Sequence, residues 1–230
     1  MWKCYEEDEM KKVFVFPLLV FFFFSACTSK SVNIYPVKIL NKQLEVAFSQ
    51  NEQTNTFNRA ALKVEKNDST KSVKTCLDFI ASFKEGFVIS EEVNNMRIAS
   101  EYQVCIQVDN LRNAVAATKS YLPKTYSTLI TDNLDLQVIR SSLIQKLGDT
   151  SQSIKDTSFL VPETKGDSVI IDNENWFYQF NILASGDFNN DGKEDLMIEF
   201  IDRAKNGNYY SHSTYLLTRN MSDKYLTVIK

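Results

Sequence analysis

Two runs of alternating side chains flank one acidic turn. Trp176, Tyr178, Phe180 and Ile182 share a side of the first run, and Leu196, Ile198 and Phe200 a side of the second. Alternation of period two marks a half-buried strand, and so short a link makes the two strands antiparallel neighbours. The link is Gly186-Asp187-Phe188-Asn189-Asn190-Asp191-Gly192-Lys193-Glu194-Asp195. Asp or Asn stands at every second place, then a glycine, then another Asp. Oxygens spaced this way on a tight loop can converge on one point. Ca²⁺ suits them, because it takes six to eight oxygens at about 2.3–2.6 Å and tolerates irregular geometry. Asp187, Asn189, Asp191 and Asp195 would offer side-chain oxygens, and Lys193 its backbone carbonyl. Gly192 permits the sharp turn between them. Lys193 and Glu194 are expected to point outward.

The frame departs from an EF-hand. An EF-hand carries a bidentate Glu at position 12. Here that position is Ile198, and a strand rather than a helix follows. A strand, then G-D-F-N-x-D-G-x-x-D, then a strand resembles the FG-GAP type of repeat. The resemblance covers roughly residues 180–200 and implies an EF-hand-like calcium loop. Such repeats usually recur to build propeller blades. One copy is present, so a propeller is not implied. Without a metal the same residues read as a polar hairpin turn, although three carboxylates on one loop would then repel.

The N-terminus reads as an address. Lys11 and Lys12 precede the apolar run Val13–Phe24, followed by Ser25-Ala26-Cys27. The run is shorter than the roughly 20 residues that span a bilayer, so residues 1–26 read as a signal peptide. Residues 1–9 are acidic and fit no leader, which makes Met10 the expected start. Phe24-Ser25-Ala26-Cys27 resembles the lipobox of bacterial lipoproteins. The resemblance implies a lipidated Cys27, a tether over 27–36, and a membrane partner reached through that lipid. By the same resemblance, Thr28 in place of the Asp that retains such lipoproteins in the inner membrane implies the outer membrane of the envelope, facing the periplasm.

Removal of residues 1–26 leaves 204 of the 230 residues, enough for a real core. The whole chain carries net charge -3, and Lys and Arg are scattered rather than clustered. A nucleic-acid partner is therefore not expected. With Cys4 removed and Cys27 lipidated, Cys76 and Cys105 remain as a pair in an oxidising compartment, where a disulfide is expected.

Residues 37–148 read mostly as helix. Segments 37–48, 59–66, 72–83, 90–115 and 132–147 carry apolar side chains at steps of three and four, while 51–58 reads as loop. Cys76 and Cys105 each lie on such a stripe, so a bridge would staple two helices. Ser90 is placed to cap the longest helix and Gly148 to end the last. Residues 159–230 turn to β, with strands at 168–171, 176–183, 196–201, 209–217 and 225–229. Helices followed by an antiparallel meander make the fold class α+β.

No phosphate-binding loop, zinc spacing or nucleophile elbow is present. His212 is the one histidine, and a lone strand histidine is more often a packing residue than a base. Three functions fit this sequence: a structural or interaction lipoprotein of the envelope stabilised by Ca²⁺; a module that binds glycan, peptidoglycan or protein through its sheet face; and an envelope hydrolase whose site is unrecognised. Trp176, Tyr178, Tyr209, Tyr210 and Tyr215 could stack on a sugar, although alternating strand aromatics more often belong to the core.

Overall fold

A computed structural model describes residues 33–123, 125–143 and 150–229. The expected signal segment, Cys27 and the tether up to residue 32 lie outside the described residues. So do Leu147 and Gly148 at the expected helix end. Along the chain come strand β1 (Lys38–Ile39), helices α1 (Lys42–Ser49) and α2 (Asn51–Thr56), and strands β2 (Leu62–Lys66) and β3 (Ser69–Val73). Helix α3 (Cys76–Lys84), strand β4 (Val88–Ile89) and helices α4 (Val93–Ala99), α5 (Gln103–Asn113) and α6 (Tyr126–Asn133) follow. Strands β5 (Pro162–Lys165), β6 (Ser168–Asp172), β7 (Trp176–Gly186), β8 (Asp195–Ala204), β9 (Tyr210–Thr218) and β10 (Thr227–Val228) complete it.

The architecture is α+β, as expected. Strands β5 to β10 pair in chain order as an antiparallel meander. The long strand β7 is its axis. On one edge β6 pairs residues 177–181, and β1 continues the same edge with Ile39 opposite Ala184 and Lys38 opposite Ser185. A register shift between Ile182 and Ala184 separates the two. Before it, Tyr178, Phe180 and Ile182 face one core; after it, Leu183 and Ala184 face another. An extra residue in one strand does this, because it breaks the alternation of sides. The Leu183 carbonyl, freed from the ladder, accepts the amides of Leu40 and Asn41 at 2.8 and 3.1 Å. The bulge thus anchors the start of α1, where Asn41 Oδ1 caps the Leu44 amide at 3.0 Å.

One sheet face carries the largest core. Phe180 stacks on Phe200, its cross-strand partner, with ring centroids 4.5 Å apart. Leu129, Ile130, Leu134, Leu136, Ile139 and Leu143 cover them. On the opposite face Met197, Leu183 and Ala184 meet Leu44, Val108 and Leu111 from α1 and α5.

The stretch 37–148 is less helical than its pattern suggests. Strands β2, β3 and β4 form a second antiparallel sheet inside it. Residues 59–66 were expected as helix, but 62–66 form a strand that buries Leu62 and Val64 against α3. The hairpin turns at Asn67, whose φ of 52° suits an asparagine. Residues 51–58, expected as loop, contain α2, which buries no side chain. The expected helix 90–115 is α4 and α5 separated by one 3₁₀ turn, Ser100–Tyr102. At that break the buried Tyr102 donates its hydroxyl to the carbonyls of Ala60 and Val73 at 2.7 and 3.0 Å. Ser90 does not cap; it is buried, and its carbonyl accepts from Asn95 at 2.7 Å. Cys76 and Cys105 are bonded, with Cα atoms 5.1 Å apart, joining α3 to α5.

Residues 132–147 were also expected as helix. Helix α6 instead ends at Asn133, and Leu134, Leu136, Ile139 and Leu143 enter the core from irregular chain. Side-chain bonds to the backbone displace helix there, one local and one distant: Asp135 Oδ1 accepts the Gln137 amide at 3.0 Å, and Asp202, far along the chain on β8, takes that of Ser142 at 2.7 Å.

Candidate metal centre

Strand β7 hands the chain to β8 through the acidic loop. Asp187 organises that loop. Its Oδ1 accepts the amides of Asn189 and Asp191 at 3.3 and 3.2 Å, and its Oδ2 the Gly192 amide at 2.7 Å. Asn189 Oδ1 also accepts the Asp191 amide at 3.1 Å, and Asp191 Oδ1 the Lys193 amide at 2.9 Å. Short side chains that bond the backbone two residues on curl the chain around themselves. Asn190 and Gly192 supply the left-handed steps, at φ 61° and 81°. Any side chain at Gly192 would be strained there, and its Cβ would lie 3.2 Å from Thr118 Oγ1.

An extended segment braces the loop from outside. Val115 and Asp187 exchange both backbone bonds at 3.0 Å. The Gly192 carbonyl accepts the amides of Thr118 and Lys119 at 2.9 and 3.0 Å, and Glu194 donates its amide to Lys119 at 2.8 Å. Val115, expected on the helical stripe 90–115, is instead extended here, since α5 ends at Asn113; residues 116–119 carry no apolar periodicity, because their work is done by backbone.

Asp195 closes the frame at the first residue of β8. It is fully buried, and its Oδ2 accepts the Phe188 amide at 3.1 Å across the loop. Its Oδ1 has no hydrogen-bond partner. The Thr218 hydroxyl faces the same carboxylate and favours its ionised form, but the two fall short of hydrogen-bond geometry. Burial, reinforced by the charges of Asp191 and Asp187, pushes the Asp195 carboxyl up to about 6. At Asp191 burial opposes the charge, but the Lys193 ammonium and amide outweigh it and hold the carboxyl below its ordinary value.

Among the described residues, no three His, Cys, Asp or Glu side chains gather closely enough to hold a metal by themselves. Asp187, Asp191 and Asp195 share one loop, but their oxygens are mostly turned onto its amides. Asn189 and the Lys193 carbonyl, the other two expected donors, are neutral oxygens of the same loop. The donor set fits a hard cation, since it contains oxygen alone. The orphaned Asp195 Oδ1 is the kind of buried acceptor that a cation would satisfy.

The expectation that Glu194 points outward is wrong. Glu194 is buried, and its Oε1 accepts the Tyr126 hydroxyl at 3.3 Å. Lys193 does turn toward the surface, where Nζ meets Asp191 Oδ2 at 2.9 Å and Asn220 Oδ1 at 2.8 Å. Beside it opens a groove of about 630 Å³ lined by Lys119, Tyr121, Asp191, Lys193, Asn220 and Met221. Residues 119–121 and 220–222 carried no sequence signal for this groove.

The other candidates make contacts within the protein, although Tyr209 stays exposed and lines a surface pocket with Tyr210. His212 lies 2.7 Å from Glu199 between strands β9 and β8. Glu199 also accepts from Asn181 and Gln107, at 2.7 and 3.2 Å. Trp176 stacks on the buried Tyr178 with centroids 6.1 Å apart, and Tyr209 meets Trp176 edge-on. The Tyr215 hydroxyl accepts the Arg140 amide at 3.1 Å. No protein-family model, curated protein or solved structure matches this chain significantly. The likeness to FG-GAP loops, over roughly residues 180–200, rests on the sequence pattern alone.

Proposed function

We propose that this is a lipid-anchored protein of the bacterial cell envelope whose loop 187–195 binds Ca²⁺, and that the ion stabilises the β-meander. Asp187, Asn189, Asp191 and Asp195 supply side-chain oxygens and Lys193 its carbonyl. The observation that carries the metal assignment is the fully buried Asp195 at the last acid of an oxygen-spaced frame, whose carboxylate has the Phe188 amide as its one hydrogen-bond donor and the Thr218 hydroxyl beside it, outside hydrogen-bond geometry. A cation there would satisfy its Oδ1 and offset three neighbouring carboxylates. It would also pin the turn between β7 and β8, the two longest strands of the meander. The role is structural: Asp187, Asp191 and Asp195 all serve as ligands, and the loop's remaining acid, Glu194, is engaged by Tyr126.

The leader and Cys27 supply the address, and membrane attachment through the lipid follows from it. Calorimetric titration of the exported chain tests the site. One Ca²⁺ per chain is expected, with little response to Mg²⁺, which demands a tighter octahedron. Asp195→Asn should weaken the binding strongly. Absence of Ca²⁺ binding would leave the loop a polar turn.

A further inference from the structure

We infer that a second groove, between the end of α4 and the β8–β9 hairpin, binds the carboxylate or phosphate of a sugar-sized molecule through Arg97 and Arg203. It needs no metal, and it shares no lining residue with the groove beside loop 187–195. Arg97 lies in the last turn of α4 and Arg203 near the end of β8. Helix α4 packs against β9, and β9 sets Tyr210 opposite Arg203. Arg97, Ser100, Arg203, Asn208, Tyr209 and Tyr210 line a groove of about 350 Å³ there. That volume suits a monosaccharide-sized ligand, at the low end of small-molecule sites.

The charge of this groove is one-sided: two guanidinium groups line it and no carboxylate does. Lys63, Lys71, Lys84, Arg140 and Lys155 each hold an acid. Among the described residues neither Arg97 nor Arg203 has an ion-pair partner. A guanidinium stays charged and presents a planar fork of donors that matches a carboxylate or phosphate. Arg203 is held over the Phe177 ring, 4.5 Å from its centroid. Stacking fixes the plane and leaves the donor edges free, so less order is lost on binding. Tyr209 is fixed too, by its bond to Asp202 and its edge-on contact with Trp176, yet it stays 42 % exposed as an aromatic rim. Burial keeps the Tyr210 phenol above its ordinary value, so it remains a donor, and Ser100, Glu199 and Arg203 all act on it. Glu199 does not line the groove and is engaged by Asn181 and Gln107. The two arginines therefore face the groove uncompensated, which selects an anion over a neutral molecule.

Calorimetric titration of the exported chain with galacturonate, glucose 1-phosphate and neutral galactose tests this, at about 0.15 M salt to screen diffuse charge. At least one of the anions should bind about tenfold or more tightly than galactose. Whichever binds better identifies carboxylate or phosphate. Arg97 is exposed, so Arg97→Ala should fold as the wild type and weaken the anion about tenfold or more. Arg203→Lys keeps the charge but loses the fork and the stacked plane, and should also weaken it. Arg112→Ala removes an exposed guanidinium outside the groove and should bind as the wild type does. The inference fails if neither anion outbinds galactose, or if Arg97→Ala binds like the wild type. It also fails if Arg112→Ala loses as much as Arg97→Ala, which would show bulk charge alone. None of these results bears on Ca²⁺ binding, so the two readings fall separately.

Discussion

Asp202 on β8 holds Ser142 by both ends: Oδ2 accepts the Ser142 amide at 2.7 Å and Oδ1 its hydroxyl at 3.0 Å. Tyr209 donates to the same carboxylate at 3.1 Å, and the Ser142 hydroxyl lies 3.2 Å from that of Tyr178. Asp202 is fully buried. Burial and the Asp202 charge both raise the Tyr209 phenol above its ordinary value, so it stays a donor. Removing a buried charged acceptor strands its donors, so Asp202→Ala should cost about 3–5 kcal/mol. Tyr209→Phe, which removes one donor, should cost about 1–2 kcal/mol. Urea denaturation of the two variants would show whether the gap between them is real.

The proposed calcium site should report itself in a melt. At free Ca²⁺ ten times the dissociation constant, linkage adds about 1.4 kcal/mol. For a chain of this size that raises the melting temperature by a few degrees relative to EGTA. Asp191→Ala should abolish the difference. A wild-type melt indifferent to Ca²⁺ would refute the site.

The bond between Cys76 and Cys105 closes a 29-residue separation. The chain-entropy model values such a link at roughly 3–4 kcal/mol. Both cysteines are buried with Leu62, Phe79 and Tyr102. The Cys76→Ser, Cys105→Ser double variant should lose about that much stability, measured by its denaturation midpoint. Mass spectrometry of unreduced peptides should show the link directly.

Glu199 should shape the acid limb of stability. Burial works against its charge, but His212, Asn181 and Gln107 outweigh that and hold its carboxyl below the ordinary value. A carboxyl depressed on folding stabilises the native state fully above its unfolded pKa, near 4.3, and loses that contribution as the pH falls through the lower folded value. Stability should therefore fall below about pH 4.3, and Glu199→Gln should flatten that decline. Denaturation midpoints from pH 3 to 7 decide it; parallel curves would show that Glu199 contributes nothing.

Lipidation at Cys27 is testable in cells. An alkyne-tagged palmitate should label the protein, and Cys27→Ala should remove the label. Equal labelling of the two would exclude the anchor.

Period-two runs and turn residues made the meander legible from sequence, because 177–182 and 198–203 alternate and each strand connects to the next by a short turn; the bulge after Ile182 left no such trace. The loop frame was equally local: Asp187, Asn189, Asp191 and Gly192 sit where backbone curling needs them, whatever surrounds them. Leu62 and Val64 were misread because a short β-strand and a short helix leave nearly the same trace. The pairing of β2 with both β3 and β4 settled them as strand. Residues 134–143 show the converse. Their apolar spacing announced burial correctly, and Leu136, Ile139 and Leu143 are buried. What shape the chain took to bury them depended on Asp202, some 60 residues away.

The sequence by itself determined the α+β order, the antiparallel meander, the oxygen-spaced turn and the two cysteines that pair. These follow from short-range periodicity and turn chemistry, which act within a few residues. Only the tertiary structure decided that β1 extends the β7 edge, that segment 115–119 braces the loop, and that Glu194 turns inward. The same holds for Asp195, left with an unpartnered oxygen, and for Lys119 beside Lys193 in one groove. These depend on which distant backbone and side-chain groups meet, and no local spacing encodes that meeting.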